Sequence, residues 1–144
     1  MNKTILITGA GSGIGRDAAF ALAVRGHRVI ATTLDEAQAQ ALRSDANTRN
    51  QKLEVFKLDI TLATDRAQLL PLELDVLINN AAIGESGSLA EVDVDRIRQA
   101  FEVNVFATLE LTQLALKGMI ARRRGTVLLV SSIAGRLLMC FVGR

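Results

Sequence analysis

The chain begins with a short apolar segment that continues through the glycine-rich stretch Thr8-Gly9-Ala10-Gly11-Ser12-Gly13-Ile14-Gly15 into a helical pattern. A glycine-rich turn between a strand and a helix N-terminus presents backbone N–H groups to an anion, and the helix dipole favours negative charge there. The glycines at 9, 13 and 15 follow the spacing Gly-x-x-x-Gly-x-Gly, not the more common G-x-G-x-x-G. The simpler alternative is a tight turn without a ligand. The flanking strand and helix favour a pyrophosphate site.

Five short apolar segments, the first of which precedes this turn, are predicted to be strands: 3–8, 28–33, 53–58, 75–79 and 126–131. Each is almost continuously apolar, which is typical of parallel strands buried on both faces. Helical patterns separate them, so the alternation predicts an α/β fold with right-handed crossovers. We expect a Rossmann-type doubly wound parallel sheet of about five strands, within a single domain over 1–144.

Four helical segments connect the predicted strands. The first begins near Ile14, and the second begins after Asp35, with Gln38 three residues later as in a capping box. A weaker third segment ends near Pro71, and the fourth and longest covers 96–122. We expect the longest helix to be covered on more than one side. One of its stripes is formed by Ile97, Phe101, Val105, Thr108, Thr112, Leu116 and Ile120.

The composition excludes several classes of protein. Of the 144 residues, 49% are hydrophobic and 22% are charged, which argues for a folded core. No apolar run approaches the ~20 residues of a membrane span, and the apolar stretch near Met1 is too short for the core of a secretory signal. We therefore expect a cytoplasmic protein without a membrane partner. The net charge of +2 argues against a nucleic-acid partner. A single cysteine forms no internal disulfide and no zinc site, so no metal is expected.

The glycine-rich turn resembles the cofactor fingerprint of the short-chain dehydrogenase/reductase family. Three further stretches resemble motifs of that family, in the same order: Leu58-Asp59-Ile60, Asn79-Asn80-Ala81-Ala82 and Val130-Ser131-Ser132-Ile133-Ala134-Gly135. The resemblance covers essentially the whole chain, with Ala82 standing where the family usually has glycine. It implies an NAD(P)-dependent oxidoreductase that interconverts a small-molecule alcohol and its carbonyl by hydride transfer.

The resemblance also implies which residues bind the dinucleotide cofactor. Asp59 would hydrogen-bond the adenine amino group beside the Ile60 backbone, although an N-cap for the following helix explains Asp59 as well. Asn80 would lie near the nicotinamide ribose, with Ala81 next to it. Five residues of the turn would surround the pyrophosphate: Gly9, Ser12, Gly13, Ile14 and Gly15.

The choice between NAD and NADP stays open. NAD enzymes generally place an acid after the second strand, and NADP enzymes place a nearby Arg or Lys there. Thr33 occupies the discriminating position, so neither signal is present. Asp35 is close enough to reach the ribose, but its capping role explains it equally well.

Two residues match catalytic positions of the family. Ser132 would hydrogen-bond the substrate carbonyl or hydroxyl. Asn104 interrupts the apolar stripe of the longest helix, and an unpaired buried amide costs about 1–3 kcal/mol. By resemblance Asn104 positions a water in a proton relay, and the alternative is an asparagine satisfied within the core.

The proton donor of the family is not found. It is a tyrosine in a Tyr-x-x-x-Lys motif beyond the serine, whereas this sequence reaches Arg144 without any tyrosine. We expect a C-terminally incomplete chain that is inactive by itself and has an exposed edge strand prone to self-association or homo-oligomer formation. The alternative is a non-catalytic dinucleotide-binding or regulatory module. A methyltransferase would share the glycine-rich turn but would leave Asn80, Asn104 and Ser132 unexplained.

Overall fold

The computed structural model describes residues 2–85, 88 and 90–133. Within them all five predicted strands are present, and they are β1 Thr4–Ile7, β2 Arg28–Thr33, β3 Glu54–Lys57, β4 Val76–Asn79 and β5 Thr126–Leu129. The second strand has the predicted bounds, and the others are shorter than predicted by one or two residues at an end. The predicted Ala134, Gly135 and the apolar tail that follows them lie outside the described residues.

The strands form one parallel sheet in the order β3-β2-β1-β4-β5. Strand β1 is central, and Ile5 pairs with Val29 on one side and with Val76 on the other. In chain order, β1, β2 and β3 form one half of the sheet from its centre outward. The chain then crosses to the other side of β1, where β4 and β5 form the second half. This reversal is the switch point at which doubly wound sheets bind ligands beyond the carboxyl ends of their strands. The predicted Rossmann-type fold is confirmed.

Helices cover both faces of the sheet. Their bounds are α1 Gly13–Val24, α2 Glu36–Thr48, α3 Ala63–Arg66, α4 Val94–Phe101 and α5 Thr108–Ala121. On one face Ala19 and Phe20 of α1 pack with Leu42 of α2 over the sheet. On the opposite face Leu111 and Met119 of α5 pack over the same strands. Two apolar cores therefore hold the sheet between them.

The second helix begins as predicted. The Asp35 side chain caps α2 by accepting a hydrogen bond from the backbone N–H of Gln38 at 2.8 Å. An N-cap carboxylate satisfies an otherwise unpaired N–H at the positive end of the helix dipole. The loop between β2 and α2 is thereby fixed in position.

The predicted stripe of the longest helix is buried only in part: Thr108 is buried and Leu116 packs against the core. A π-helical segment, Glu102–Ala107, joins α4 to α5, and each extra residue in a π-turn rotates the following side chains around the axis. Phe101, Val105 and Ile120 are exposed. The buried side of α5 combines Thr108 with three residues outside the stripe, Leu111, Ala115 and Met119.

Candidate functional site

A cavity of about 980 Å³ opens at the carboxyl edge of the sheet. Loops that follow β1, β3, β4 and β5 line it, together with residues just after β2. Ten predicted site residues are on its wall: Gly9, Ser12, Ile14, Gly15, Asp59, Ile60, Asn80, Ala81, Asn104 and Ser132. Its volume lies at the upper end of the range for small-molecule sites, so an extended ligand fits it.

The floor of the cavity depends on close backbone packing at Gly9. This glycine has φ of +66°, and a Cβ placed on it would lie 2.7 Å from the Cα of Ala81. A Cβ on Gly15 would lie 2.6 Å from the carbonyl oxygen of Gly9. Neither position accepts a side chain without moving backbone. Gly13 has φ of +54° and open space around it, so its requirement is conformational and not steric.

Thr8 and Asn80 join the loops after β1 and β4. The Thr8 hydroxyl oxygen accepts hydrogen bonds from the backbone N–H groups of Asn80 and Ala81, each at 3.0 Å. In the reverse direction, Asn80 Nδ2 donates to the carbonyl oxygens of Thr8 and Gly9, each at 3.0 Å. Thr8 is buried. These four hydrogen bonds hold the glycine-rich turn against the neighbouring loop.

The loop after β3 is held from two directions. Asp59 Oδ1 accepts from the backbone N–H of Thr61 at 3.0 Å and from its hydroxyl at 2.7 Å. The backbone N–H of Asp59 donates to Asp65 Oδ2 at 2.8 Å. The Asp59 carboxylate therefore supports its own loop and also lines the cavity. The capping alternative is wrong, because the N-cap of α3 is Leu62 and no side chain caps that helix.

Asp65 is itself paired with a cation. Lys57 Nζ lies 2.7 Å from Asp65 Oδ2. The hydrogen bond from Lys57 is the main cause that lowers the pKa of the Asp65 carboxyl, and the same bond raises the pKa of Lys57. Both groups are consequently charged at neutral pH, and the cation at the end of β3 is neutralised.

Thr33 lies apart from the cavity wall. Its side chain is fully buried, and its hydroxyl donates to the carbonyl oxygen of Asp35 at 2.9 Å. The residues beyond β2 that do line the cavity are Leu34 and Gln38. Gln38 lies against the glycine-rich turn. Its Oε1 is 2.6 Å from the position that a Cβ on Gly11 would occupy.

Asn104 lies in the π-helical segment and contacts the loop after β4. Its Oδ1 accepts from the backbone N–H of Ile83 at 2.9 Å, and its Nδ2 donates to the carbonyl oxygen of Ile83 at 2.8 Å. The amide is satisfied by one backbone residue at an exposed position and not within the core. Ser132 follows β5 on the same side of the cavity.

Sequence reasoning missed three residues that position the site. Thr8 directly precedes the glycines, and its hydroxyl group was the only feature in the sequence that could have indicated this role. Asp65 and Arg66 gave no signal, because an acid and a base in a short helix are typical of solvent-exposed residues. Arg66 is nevertheless buried, and it donates from Nη1 to the carbonyl oxygen of Ile60 at 2.7 Å.

The part of the chain that the structure describes contains neither a candidate metal site nor a candidate membrane span. No group of three or more His, Cys, Asp or Glu side chains there is arranged to hold a metal ion. None of the helices in that part is both long and apolar enough to cross a membrane.

Comparison with known proteins identifies the family. The sequence model described as short chain dehydrogenase matches residues 3–142. The chain is 37% identical to 2-keto-3-deoxy-L-fuconate dehydrogenase of Xanthomonas campestris, over 94% of this chain and 44% of that protein. It is 34% identical to human retinol dehydrogenase 8, over 92% of this chain and 45% of that protein. The chain thus spans about half the length of the curated relatives it matches.

Solved structures agree with this assignment. An actinorhodin polyketide ketoreductase variant with NADPH superimposes with a TM-score of 0.89 at 25% identity, over 96% of this chain and 56% of that one. A short-chain dehydrogenase from Streptomyces avermitilis gives a TM-score of 0.84 at 33% identity, over 95% of this chain and 52% of that one. With the motifs in their expected places at one edge of the sheet, the chain belongs to the short-chain dehydrogenase family.

Proposed function

We propose that this chain binds a nicotinamide dinucleotide, NAD(H) or NADP(H), as the cofactor-binding part of an oxidoreductase that interconverts an alcohol and a carbonyl compound. The observation that carries the proposal is the cradle formed by Gly9 and Gly15, where a single added carbon would collide with backbone. These glycines let the turn pack closely on the loop after β4 and lead directly into the N-terminus of α1, which is the arrangement that pyrophosphate sites of this type use. The residues present therefore fit the cofactor that membership of the family implies.

In this proposal the cradle binds the pyrophosphate through five residues: Gly9, Ser12, Gly13, Ile14 and Gly15. Asp59 and the Ile60 backbone contact the adenine. Asp59 Oδ1 is already engaged with Thr61, so its second oxygen is the one offered to the adenine amino group. Thr33 acts indirectly, by holding the carbonyl of Asp35 and with it the start of α2.

On the other side of the switch point, Asn80 and Ala81 form the wall beside the nicotinamide ribose. Asn80 uses both amide hydrogens on the turn, so it serves the cofactor by fixing the cradle. The bound nicotinamide supplies or accepts the hydride. Ser132 orients the substrate carbonyl or hydroxyl on this side of the cavity, and Asn104 fixes the loop at Ile83 that borders it.

The proton transfer that accompanies hydride transfer needs an acid or base within hydrogen-bond reach. These 144 residues contain no tyrosine, so by themselves they lack the family's proton donor, and we expect no measurable turnover from them alone. The absence of tyrosine also supports the second candidate, a non-catalytic dinucleotide-binding module. The residues of the cradle are all present although the proton donor is not.

Cofactor binding is tested by titrating NADH and NADPH with the protein and following the cofactor's own fluorescence. The chain contains no Trp and no Tyr, so protein emission does not interfere. We expect saturable binding of at least one cofactor. In Gly9→Ala the new Cβ collides with Ala81, and we expect affinity to fall by at least about tenfold.

The matched control is Gly26→Ala. Gly26 also has a positive φ, +82°, but a Cβ there meets no atom within 4 Å, and it lies outside the cavity. It carries the same conformational strain without the collision, so its affinity should stay near that of the parent chain. Equal losses in both variants would assign the effect to backbone strain and reject the cradle. Absence of binding to both cofactors by the parent chain would reject the proposed function.

A further inference from the structure

The strand order determines where the adenosine ribose of a bound dinucleotide lies, a statement that rests on the proposed function. Strand β2 is between β1, which leads into the glycine-rich turn, and β3, which leads into the Asp59 loop. A ligand with its pyrophosphate on the turn and its adenine at the loop crosses the end of β2. In this binding mode the adenosine ribose therefore lies beside the residues that follow β2, at the start of α2.

No cation lines the cavity at that point. The wall consists of Leu34, which is 56% exposed, and of Gln38 and Gly11. Among the described residues that line the whole cavity, Asp59 is the only one with a charged side chain. A 2′-phosphate carries roughly −1.5 to −2 charges and finds no Arg or Lys on this wall.

The cations of the surrounding elements are already paired. Arg43 on α2 donates to Glu36 at 2.6 Å and to the carbonyl oxygen of Val55 at 3.0 Å. Lys57 at the end of β3 is paired with Asp65. On α1, the cation facing α2 is also bound by a carboxylate, in the pair Arg16–Asp45.

The start of α2 is closed to a second anion. Asp35 Oδ1 accepts a hydrogen bond from the backbone N–H of Gln38. That N–H is one of the donors that a phosphate at a helix N-terminus would use, so it is already engaged. Glu36, the other carboxylate of the first turn, is balanced by Arg43. The Asp35 carboxylate repels an anion placed beside it, whereas a neutral ribose hydroxyl finds a hydrogen-bonding partner in the Gln38 side chain, which lines the cavity.

We infer that this chain prefers NAD(H) to NADP(H), and that Leu34, Asp35 and Gln38 determine the preference. Leu34 and Gln38 can contact the ribose but offer no positive charge to a 2′-phosphate. The Asp35 carboxylate repels that phosphate. The preference follows from a phosphate that has a repulsive neighbour and no compensating cation.

The experiment measures dissociation constants for NADH and NADPH with the parent chain and three variants. For the parent chain we expect NADH to bind at least about tenfold more tightly than NADPH. Equal affinities, or tighter NADPH binding, would overturn the preference and leave the proposed function intact. Binding of neither cofactor would overturn both.

Two variants assign the preference to residues. Leu34→Arg adds a cation to the wall, and we expect NADPH affinity to rise at least about tenfold while NADH affinity changes by less than about threefold. Asp35→Asn removes the charge and keeps a good N-cap, so NADPH affinity should rise without loss of helix stability. If neither variant improves NADPH binding, these residues do not determine the preference.

Val24→Arg is the control for added net charge. Val24 is exposed at the last residue of α1, away from the cavity. An equal gain in NADPH affinity in this variant would show that general electrostatic attraction, and not the local contact, is responsible, and would overturn the assignment to Leu34.

Discussion

Arg66 and Ile60 are joined by a hydrogen bond of 2.7 Å from the guanidinium Nη1 to the backbone carbonyl oxygen. Arg66 is only 8% exposed, and its other terminal nitrogen pairs with the exposed carboxylate of Glu110. The Asp59 loop is thereby tied to α5, which packs on the same face of the sheet. A buried cation thus positions the loop proposed to bind adenine.

Replacing Arg66 with Met should destabilise the protein by about 1–3 kcal/mol, because the Ile60 carbonyl loses its donor at a buried position. The free energy of unfolding in urea measures this change. Glu110→Gln is the comparison, and since Glu110 is exposed, we expect less than about 1 kcal/mol. Equal effects of the two substitutions would place the contribution in the ion pair and not in the bond to Ile60.

The Asp65 carboxyl should make the Asp59 loop sensitive to acid. Its pKa is lowered in the folded state by Lys57, so its stabilising contribution is present above the unfolded pKa of about 3.9 and is lost as pH falls through the lower folded value. Stability measured between neutral pH and pH ~2 should therefore fall less steeply in acid in Asp65→Asn than in the parent chain. Parallel curves would contradict this role.

The hydroxyl of Thr8 can be tested separately from its shape. Thr8→Val keeps the volume but leaves the N–H groups of Asn80 and Ala81 without their acceptor, and it should cost about 1–3 kcal/mol. It should also weaken NADH binding, since the turn loses its support. Thr8→Ser retains the oxygen and should preserve most of the affinity. Similar losses in Val and Ser variants would mean that the methyl group matters and the hydrogen bonds do not.

Asn104→Ala should release the loop at Ile83. Both bonds between the Asn104 amide and the Ile83 backbone disappear, and amide hydrogen exchange at Ile83 should accelerate by about tenfold. The amides of Asn80 and Ala81 are held by Thr8, so their exchange rates serve as an internal reference. Unchanged exchange at Ile83 would show that the loop is held by other contacts.

Strands and the glycine-rich turn were predictable because their signals are local. An apolar run that alternates with helices specifies a parallel sheet, and the glycines specify backbone positions that no other residue adopts at low cost. The capping pair Asp35 and Gln38 was likewise visible from a spacing of three residues. For these elements, tertiary structure confirms what short segments already prefer.

The remaining features depend on contacts that no short segment contains. Phe101 and Ile120 were assigned to one stripe because a regular helix was assumed, and the π-helical segment between them changes their relative orientation. Arg66 is buried where the end of α3 meets the backbone of Ile60 and the side chain of Glu110 on α5. Thr33 is buried like the four residues before it, because β2 is covered on both faces, whereas its proposed contact with cofactor rests on the resemblance.

The bonds between Thr8 and the loop after β4 span 72 and 73 residues. Closing so long a loop is slow in comparison with forming a local helix. While this chain emerges from a ribosome, its glycine motif is made well before Ala81, and the hydrogen bonds that hold the motif form only after Ala81 has been synthesised and docked. Nucleotide affinity in a nascent chain would accordingly report that β4 has joined the sheet.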